Sequence, residues 1–135
     1  MLMDEETLKQ VSERFKEDHF ATHIGCKIEK VEDGYAVCSL KLDERHLNAA
    51  GTVMGGVIFT LADFTFAVAA NWNRVLTVSQ SSSISFLGVA KGTRLLAEAR
   101  LVKEGRTISY YSVDLIDDWG NIVAIATING FKKES

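Results

Sequence analysis

The residues whose types and spacing suit chemistry lie in one stretch, His46 to Trp72, reading HLNAAGTVMGGVIFTLADFTFAVAANW. Asp63 is a carboxylate set inside an apolar helical pattern, where burying an acid is costly unless it is used or bonded. Burial raises a carboxyl pKa above about 3.9 and makes the group a stronger base, able to take a proton from water or to attack a carbonyl itself. Gly55 and Gly56 stand where the polar stretch turns into the helix. A helix N-terminus leaves N–H groups free and its dipole favours negative charge, so a glycine pair there opens two donors to close approach. Asn48 and His46 lie just upstream in the polar loop. Each feature also has a structural reading. Asp63 can be an acid bonded to hydroxyls across a subunit seam, the glycine pair close packing, Asn48 a turn or cap residue, and His46 a loop hydrogen-bonder.

These residues need elements to position them. Val57, Leu61, Phe64, Val68 and Trp72 keep helical spacing, as do Ile58, Ala62, Thr65 and Ala69. A helix over 55–72 that is apolar on every side must be wrapped by other elements. Residues 24–31 and 35–42 alternate as two strands joined at Glu32-Asp33-Gly34. Four longer strands follow, at 76–87, 93–103, 106–117 and 121–131, with turns at 88–92, 104–105 and 118–120. They exceed the usual strand of about 5–6 residues, and no proline interrupts any of them. Long strands with tight turns suit a strongly curved antiparallel sheet. Residues 4–19 carry a narrow stripe, Leu8, Val11 and Phe15, and read as an extra N-terminal helix. The expected class is α+β: six strands curled round one central helix, in a single domain over 1–135.

The bulk composition narrows the partners. Apolar residues make up 47% of 135 residues, enough for one core without staples. A net charge of −3 excludes the basic footprint of a nucleic-acid binder. The acidic start MLMDEETLKQ is no signal peptide, and the run from Gly55 to Ala70 is too short to span a bilayer. Cys26 and Cys38 lack CxxC spacing and read as reduced core thiols, and the histidines at 19, 23 and 46 form no metal-ligand pattern. The expectation is a cytoplasmic protein with no metal, no nucleic acid and no membrane partner.

The order of elements, centred on HLNAAGTVMGGVIFTLAD, resembles the hotdog-fold acyl-CoA thioesterases of the PaaI-like (phenylacetate-degradation) branch. The family pattern is roughly H-x-N-x-x-G-x-x-H-G-G-x-x-x-x-L-x-D. His46, Asn48, Gly51, Gly55, Gly56, Leu61 and Asp63 match it, and GRTISYYSVDL and GNIVAIAT look like the family's last two strands. The resemblance spans about residues 20–131. Two positions depart: Met54 stands where the family usually has histidine, and GVA follows the third strand where relatives often carry a proline.

The resemblance implies hydrolysis of an acyl- or aryl-CoA thioester to free acid and CoA. Asp63 would be general base or nucleophile, Gly55 the main backbone donor to the carbonyl, Asn48 an accompanying polar group, and Ser79 a supporting hydroxyl, with Ser81 its runner-up on the same strand face. Substrate contacts would come from His46, Met54, Gly56, Phe59 and Phe66, with the acyl group beside the two phenylalanines. Lys91 and Arg106, in turns, would meet CoA phosphates, though exposed basic turn residues are mostly solvated. No cofactor is implied, because CoA is part of the substrate.

Gly55 and Asp63 lie about 12 Å apart along one helix, whereas donor and base must both lie near about 3 Å from the reacting atoms. Two antiparallel helices from a twofold pair would close that gap. A homodimer, paired into a dimer of dimers, is therefore expected. The rival reading is a non-catalytic acyl-CoA-binding protein, favoured by Met54 and opposed by Asp63. A hotdog dehydratase fits less well, since no histidine lies in the helix.

Overall fold

The computed structural model describes residues 4–74 and 76–133. Six strands, β1 (Lys27–Glu32), β2 (Tyr35–Lys41), β3 (Thr77–Phe86), β4 (Arg94–Glu104), β5 (Ile108–Asp117) and β6 (Ile122–Lys132), form one sheet in the order β1-β2-β4-β5-β6-β3. Every neighbouring pair is antiparallel. Helices α1 (Glu5–Phe15) and α2 (His19–His23) precede the sheet, and α3 (Gly55–Asn71) lies between β2 and β3 after a single 3₁₀ turn at Glu44–His46. Helix α3 packs against all six strands. This is the α+β, helix-wrapped-by-sheet arrangement that the patterning and the resemblance imply.

Period-two alternation explains the inner face of the sheet. Ala36, Cys38 and Leu40 of β2, Leu95, Ala97 and Ala99 of β4, and Tyr111, Val113 and Leu115 of β5 are all fully buried. The register sets Cys38 beside Ala97 and Ala97 beside Leu115, so one apolar row crosses three strands. Small residues facing small residues let the sheet curve closely over α3, where Ala62, Ala69 and Ala70 are also buried. Both cysteines are buried and free, and burial pushes each thiol up to about 12.

The N-terminal helix differs from expectation. Instead of one helix over 4–19 there are two, broken at Lys16–Asp18. The apolar stripe ends at Phe15, whose ring meets Phe64 of α3 edge-on at 6.2 Å. Arg14 then donates to the carbonyls of Asn71 and Trp72, at 3.2 and 2.8 Å, at the electronegative end of α3. With α1 fixed there, the polar run Lys16-Glu17-Asp18-His19 has nothing to bury, and the chain turns so that Ala21 re-enters the core. Gly25, at φ +110°, closes the corner and delays β1 to Lys27.

Strand β3 is an edge of the sheet, ten residues long and exposed along most of its length. Val78 and Phe86 on it, and Leu87 just after it, present apolar surface to solvent.

Candidate active site

Asp63 is half-buried in the middle of α3. It opens into a cleft of about 560 Å³ shared with Phe59, Thr60 and Phe66 of the same helix, Thr77 and Ser79 of β3, and Asp18 and Phe20 of the N-terminal segment. Its carboxylate takes no hydrogen bond from any described residue. Burial raises its pKa above the ordinary carboxylate value, and the charge of Asp18 raises it further. A carboxylate held this way is basic and unencumbered.

Phe66 forms an inner wall. It is 1% exposed, and its ring stands edge-on to Tyr111 with centroids 5.2 Å apart. Beyond it the backbone of Gly130 comes so close that a Cβ there would fall 3.1 Å from the ring. Phe59 is only half-buried and adds apolar surface to the same cleft.

Ser79 and Ser81 part company. A bulge between them pairs Ser79 with Gly130 but Ser81 with Asn129. One extra residue in a strand reverses the alternation beyond it, so the two serines face opposite sides of the sheet. Ser79 lines the cleft without bonding Asp63. Ser81 accepts from Asn129 Nδ2 at 3.0 Å on the outer face, which corrects the expectation that the two share a side and removes Ser81 from this cleft.

The donor end is built differently. Met54 caps α3 in an extended conformation, φ −63° and ψ 136°, with no side-chain cap. Val57 and Ile58 donate back to the Met54 carbonyl at 3.0 and 3.3 Å. The N–H groups of Gly55 and Gly56 find no acceptor among the described residues. The edge of the Phe86 ring lies over Gly55, where a Cβ would sit 3.1 Å from it. The Met54 methyl lies over Gly56 at 2.9 Å from the corresponding point, although half of the Met54 surface stays open to solvent. A cavity of about 290 Å³ opens here, between Gly55, Ile58, Phe86 and Val89.

The preceding loop positions this end. The Asn48 side-chain oxygen accepts from the N–H groups of Ala50 and Thr52 at 3.0 and 3.1 Å, which organises the turn, while its amide nitrogen is left without a partner among the described residues. His46 is 1% exposed. Its Nδ1 accepts from the Asp43 N–H at 2.9 Å and its Nε2 donates to the Ile24 carbonyl at 2.7 Å, which requires the Nε2–H tautomer. The ring therefore faces the protein rather than a ligand, correcting its place among the substrate contacts. Its backbone carbonyl accepts the Met54 N–H at 2.9 Å, so His46 ties the start of α3 to the corner after α2.

Two expected groups do not converge within one chain. Lys91 lies beside the loop that lines the Gly55 end, with its backbone N–H donated to Asp117 at 2.8 Å. Arg106 lies in the β4–β5 turn, next to Gly105, whose carbonyl accepts from Lys132 at 3.0 Å near the far end of α3. Among the described residues no cluster of three or more His, Cys, Asp or Glu gathers as for a metal ion. No described helix is long and apolar enough to cross a membrane. Asp18 and Phe20 were absent from the expected site. The only signal for them was the polar break after Phe15, which marks a corner without saying where it points.

The thioesterase superfamily model matches residues 50–124. The acyl-coenzyme A thioesterase PaaI of Escherichia coli strain K12 is 29% identical over 113 residues, covering 82% of this chain and 80% of that protein. The solved structure of the E. coli PaaI protein superposes with a TM-score of 0.88 over 96% of each chain at 23% identity, a likeness of fold. Acyl-coenzyme A thioesterase 13 of Homo sapiens is 35% identical over 85 residues, and this chain spans 61% of its length. A hypothetical thioesterase protein of Streptococcus pneumoniae TIGR4, crystallised with coenzyme A, is 30% identical with a TM-score of 0.82 over 90% of this chain and 98% of that one. With the helix-wrapping sheet, the unbonded Asp63 and the open Gly55-Gly56 turn in place, these likenesses show that the chain belongs to the thioesterase superfamily, as a PaaI-like thioester hydrolase of the hotdog fold.

Proposed function

We propose that the protein hydrolyses acyl- or aryl-CoA thioesters to the free acid and CoA, with Asp63 as base or nucleophile. The observation that carries this reading is the half-buried Asp63 carboxylate, without a hydrogen bond from any described residue, in a cleft walled by phenylalanines. The pneumococcal relative crystallised with coenzyme A supports the choice of thioester.

In the base route Asp63 takes a proton from water as the water oxygen bonds to the thioester carbon. The carbonyl oxygen gains negative charge, which the free N–H of Gly55 meets, with Gly56 beside it and the Asn48 amide as a further donor. The C–S bond then breaks and the sulfur leaves with the proton held by Asp63. In the nucleophile route Asp63 forms an anhydride, the thiolate leaves, and water opens the anhydride. A single turnover in ¹⁸O-water identifies the second when water opens the anhydride at the Asp63 carboxyl carbon, which labels Asp63 as the base route never does. Either route needs water, a carboxylate and donors, with CoA as part of the substrate.

The acyl group occupies the cleft beside Phe59 and Phe66, and CoA runs outside it near a subunit junction, where Lys91 and Arg106 are the cations assigned to its phosphates. The donor and the base come from different subunits of a homodimer, itself paired into a dimer of dimers. Supporting this are the spacing of Gly55 and Asp63 on one helix and the long exposed edge of β3, which suits pairing with a second copy.

The second reading, a protein that binds acyl-CoA without cleaving it, draws on Met54, whose side chain lies over the donor turn. Thiol release from a panel of acyl-CoAs, measured for the protein and for Asp63→Asn, decides between them. Turnover lost in the variant supports hydrolysis at Asp63. Binding without thiol release in either protein supports the second reading.

A further inference from the structure

We propose that Asp18, at the corner between α1 and α2, is a specificity-determining residue: its carboxylate shares the cleft with Asp63 and turns away acyl groups that carry a carboxylate of their own. This rests on the thioesterase reading of the cleft.

Asp18 sits at the N-cap of α2, a position where an aspartate ordinarily spends its side chain on the helix. Here the side chain makes no cap bond; the backbone carbonyl instead accepts from the Thr22 N–H and hydroxyl, at 3.0 and 2.9 Å. Asp4, at the start of α1, shows the usual behaviour, accepting from the Thr7 N–H at 2.6 Å. The Asp18 carboxylate is thus left over from local structure, and it lines the cleft.

The charges around that cleft are one-sided. From the N-terminal segment come Asp18 and His19, from α3 comes Asp63, and β3 contributes only Thr77, Val78 and Ser79. Among the described residues no lysine or arginine lines it. His19 is turned outward, its side chain 83% exposed and its ring 3.7 Å from Glu17. The two carboxylates feel each other, since Asp18 contributes to the upward shift at Asp63. Burial raises the pKa of Asp18 as well, against an opposing effect of His19. A third carboxylate entering on an acyl chain meets two like charges with no counter-ion from these three elements, Asp18 at the exposed rim and Asp63 half-buried, where its charge is screened less than in water. An uncharged chain meets Phe20, Phe59 and Phe66 at no such cost.

The test uses the full chain and the Asp18→Asn variant. Asparagine is as good an N-cap as aspartate, and the substitution removes no bond of α2; Asp18→Ser, also a good N-cap, repeats the test if the first variant folds poorly. Two readouts are taken: kcat/KM for hexanoyl-CoA against adipoyl-CoA, and Kd for the uncleavable thioethers S-hexyl-CoA and S-(5-carboxypentyl)-CoA. The native protein is expected to favour the uncharged member of each pair. Removing the charge narrows that preference by about tenfold, and added salt narrows it in the native protein. A preference that stays within about twofold in both readouts, or no binding of either thioether, overturns the proposal. A shift in the Kd ratio without hydrolysis of either thioester keeps the role of Asp18 and removes the thioesterase reading. Hydrolysis of both with an unchanged ratio does the reverse.

Discussion

Gly55 and Asp63 lie on one helix, eight residues apart, with the free N–H of the first and the unbonded carboxylate of the second separated by about 12 Å of helix axis. The pair opens into different cavities, one beside Phe86 and one beside Phe66. A thioester carbonyl cannot meet both within one chain. In the proposed dimer each helix carries half of two sites.

The donor can be removed without disturbing the helix. Gly55 is the first helical residue, where proline is well tolerated, and Met54 before it already has the extended ψ of 136° that proline requires. Gly55→Pro is expected to lower kcat by about 10²–10³, the cost of losing one oxyanion donor. Gly55→Ala keeps the N–H and adds only a Cβ beside the Phe86 ring, so it controls for crowding. Steady-state kinetics of both variants check this, and equal losses in the two would place the effect in packing.

Burial of the Asp63 carboxylate costs stability at neutral pH. Burial, and then Asp18, raise its folded-state pKa above the unfolded value of about 3.9. The folded state holds the proton more tightly, so the stability contributed by this linkage is fully present below the unfolded pKa and is lost as pH rises through the folded pKa. Asp63→Asn is expected to melt above the native protein at neutral pH, with the difference closing toward about pH 3. The acid limb of native kcat/KM should fall above the ordinary carboxylate range. Thermal melts and a pH–rate profile measure both, and a variant less stable at neutral pH contradicts the assignment.

Met54→His returns the imidazole that the resemblance leads one to expect before the glycine pair. The native side chain is half-exposed and lies over Gly56. The substitution is expected to change the hydrolysis rate of at least one acyl-CoA by about tenfold through an added donor beside the carbonyl. No change with any substrate would show that the side chain at 54 has no part in the reaction.

His46→Ala should act on stability. It removes the partner of the part-buried Asp43 N–H and Ile24 carbonyl and empties the space of a ring that is itself 1% exposed, at a cost of about 1–3 kcal/mol in all. A drop in Tm is expected, with any loss of activity following the loosened start of α3. A fall in kcat at unchanged Tm would instead give the imidazole a direct role.

Much of this architecture was legible in the sequence. The all-apolar pattern around Leu61 and Phe64 required a wrapped helix, and the alternation through Leu95, Ala97 and Ala99 required a sheet with one buried face. The positions of Asp63, Gly55 and Asn48 followed from spacing and resemblance together. What escaped depended on long-range packing. The break after Phe15 arises because Phe15 is held by Phe64 of α3 and Arg14 by the carbonyls at its end, about fifty residues along the chain. The split between Ser79 and Ser81 is set by a bulge against β6, which period-two reading of β3 alone cannot register. His46 sits in a loop pattern, and its burial comes from the Ile24 carbonyl at the corner after α2. Asp18 enters the cleft for the same reason: the corner that carries it is defined by contacts made elsewhere.

The shared site is tested most directly by mixing Gly55→Pro and Asp63→Asn subunits, each expected to be nearly inactive alone. In a mixed dimer one site takes Gly55 from one subunit and Asp63 from the other and is intact, while the second carries both defects. Random reassortment makes half of the dimers mixed, so activity is expected to return to about a quarter of the native value. Activity that stays at the level of the separate variants, in a sample shown to contain mixed dimers, would contradict a donor and a base supplied by different subunits.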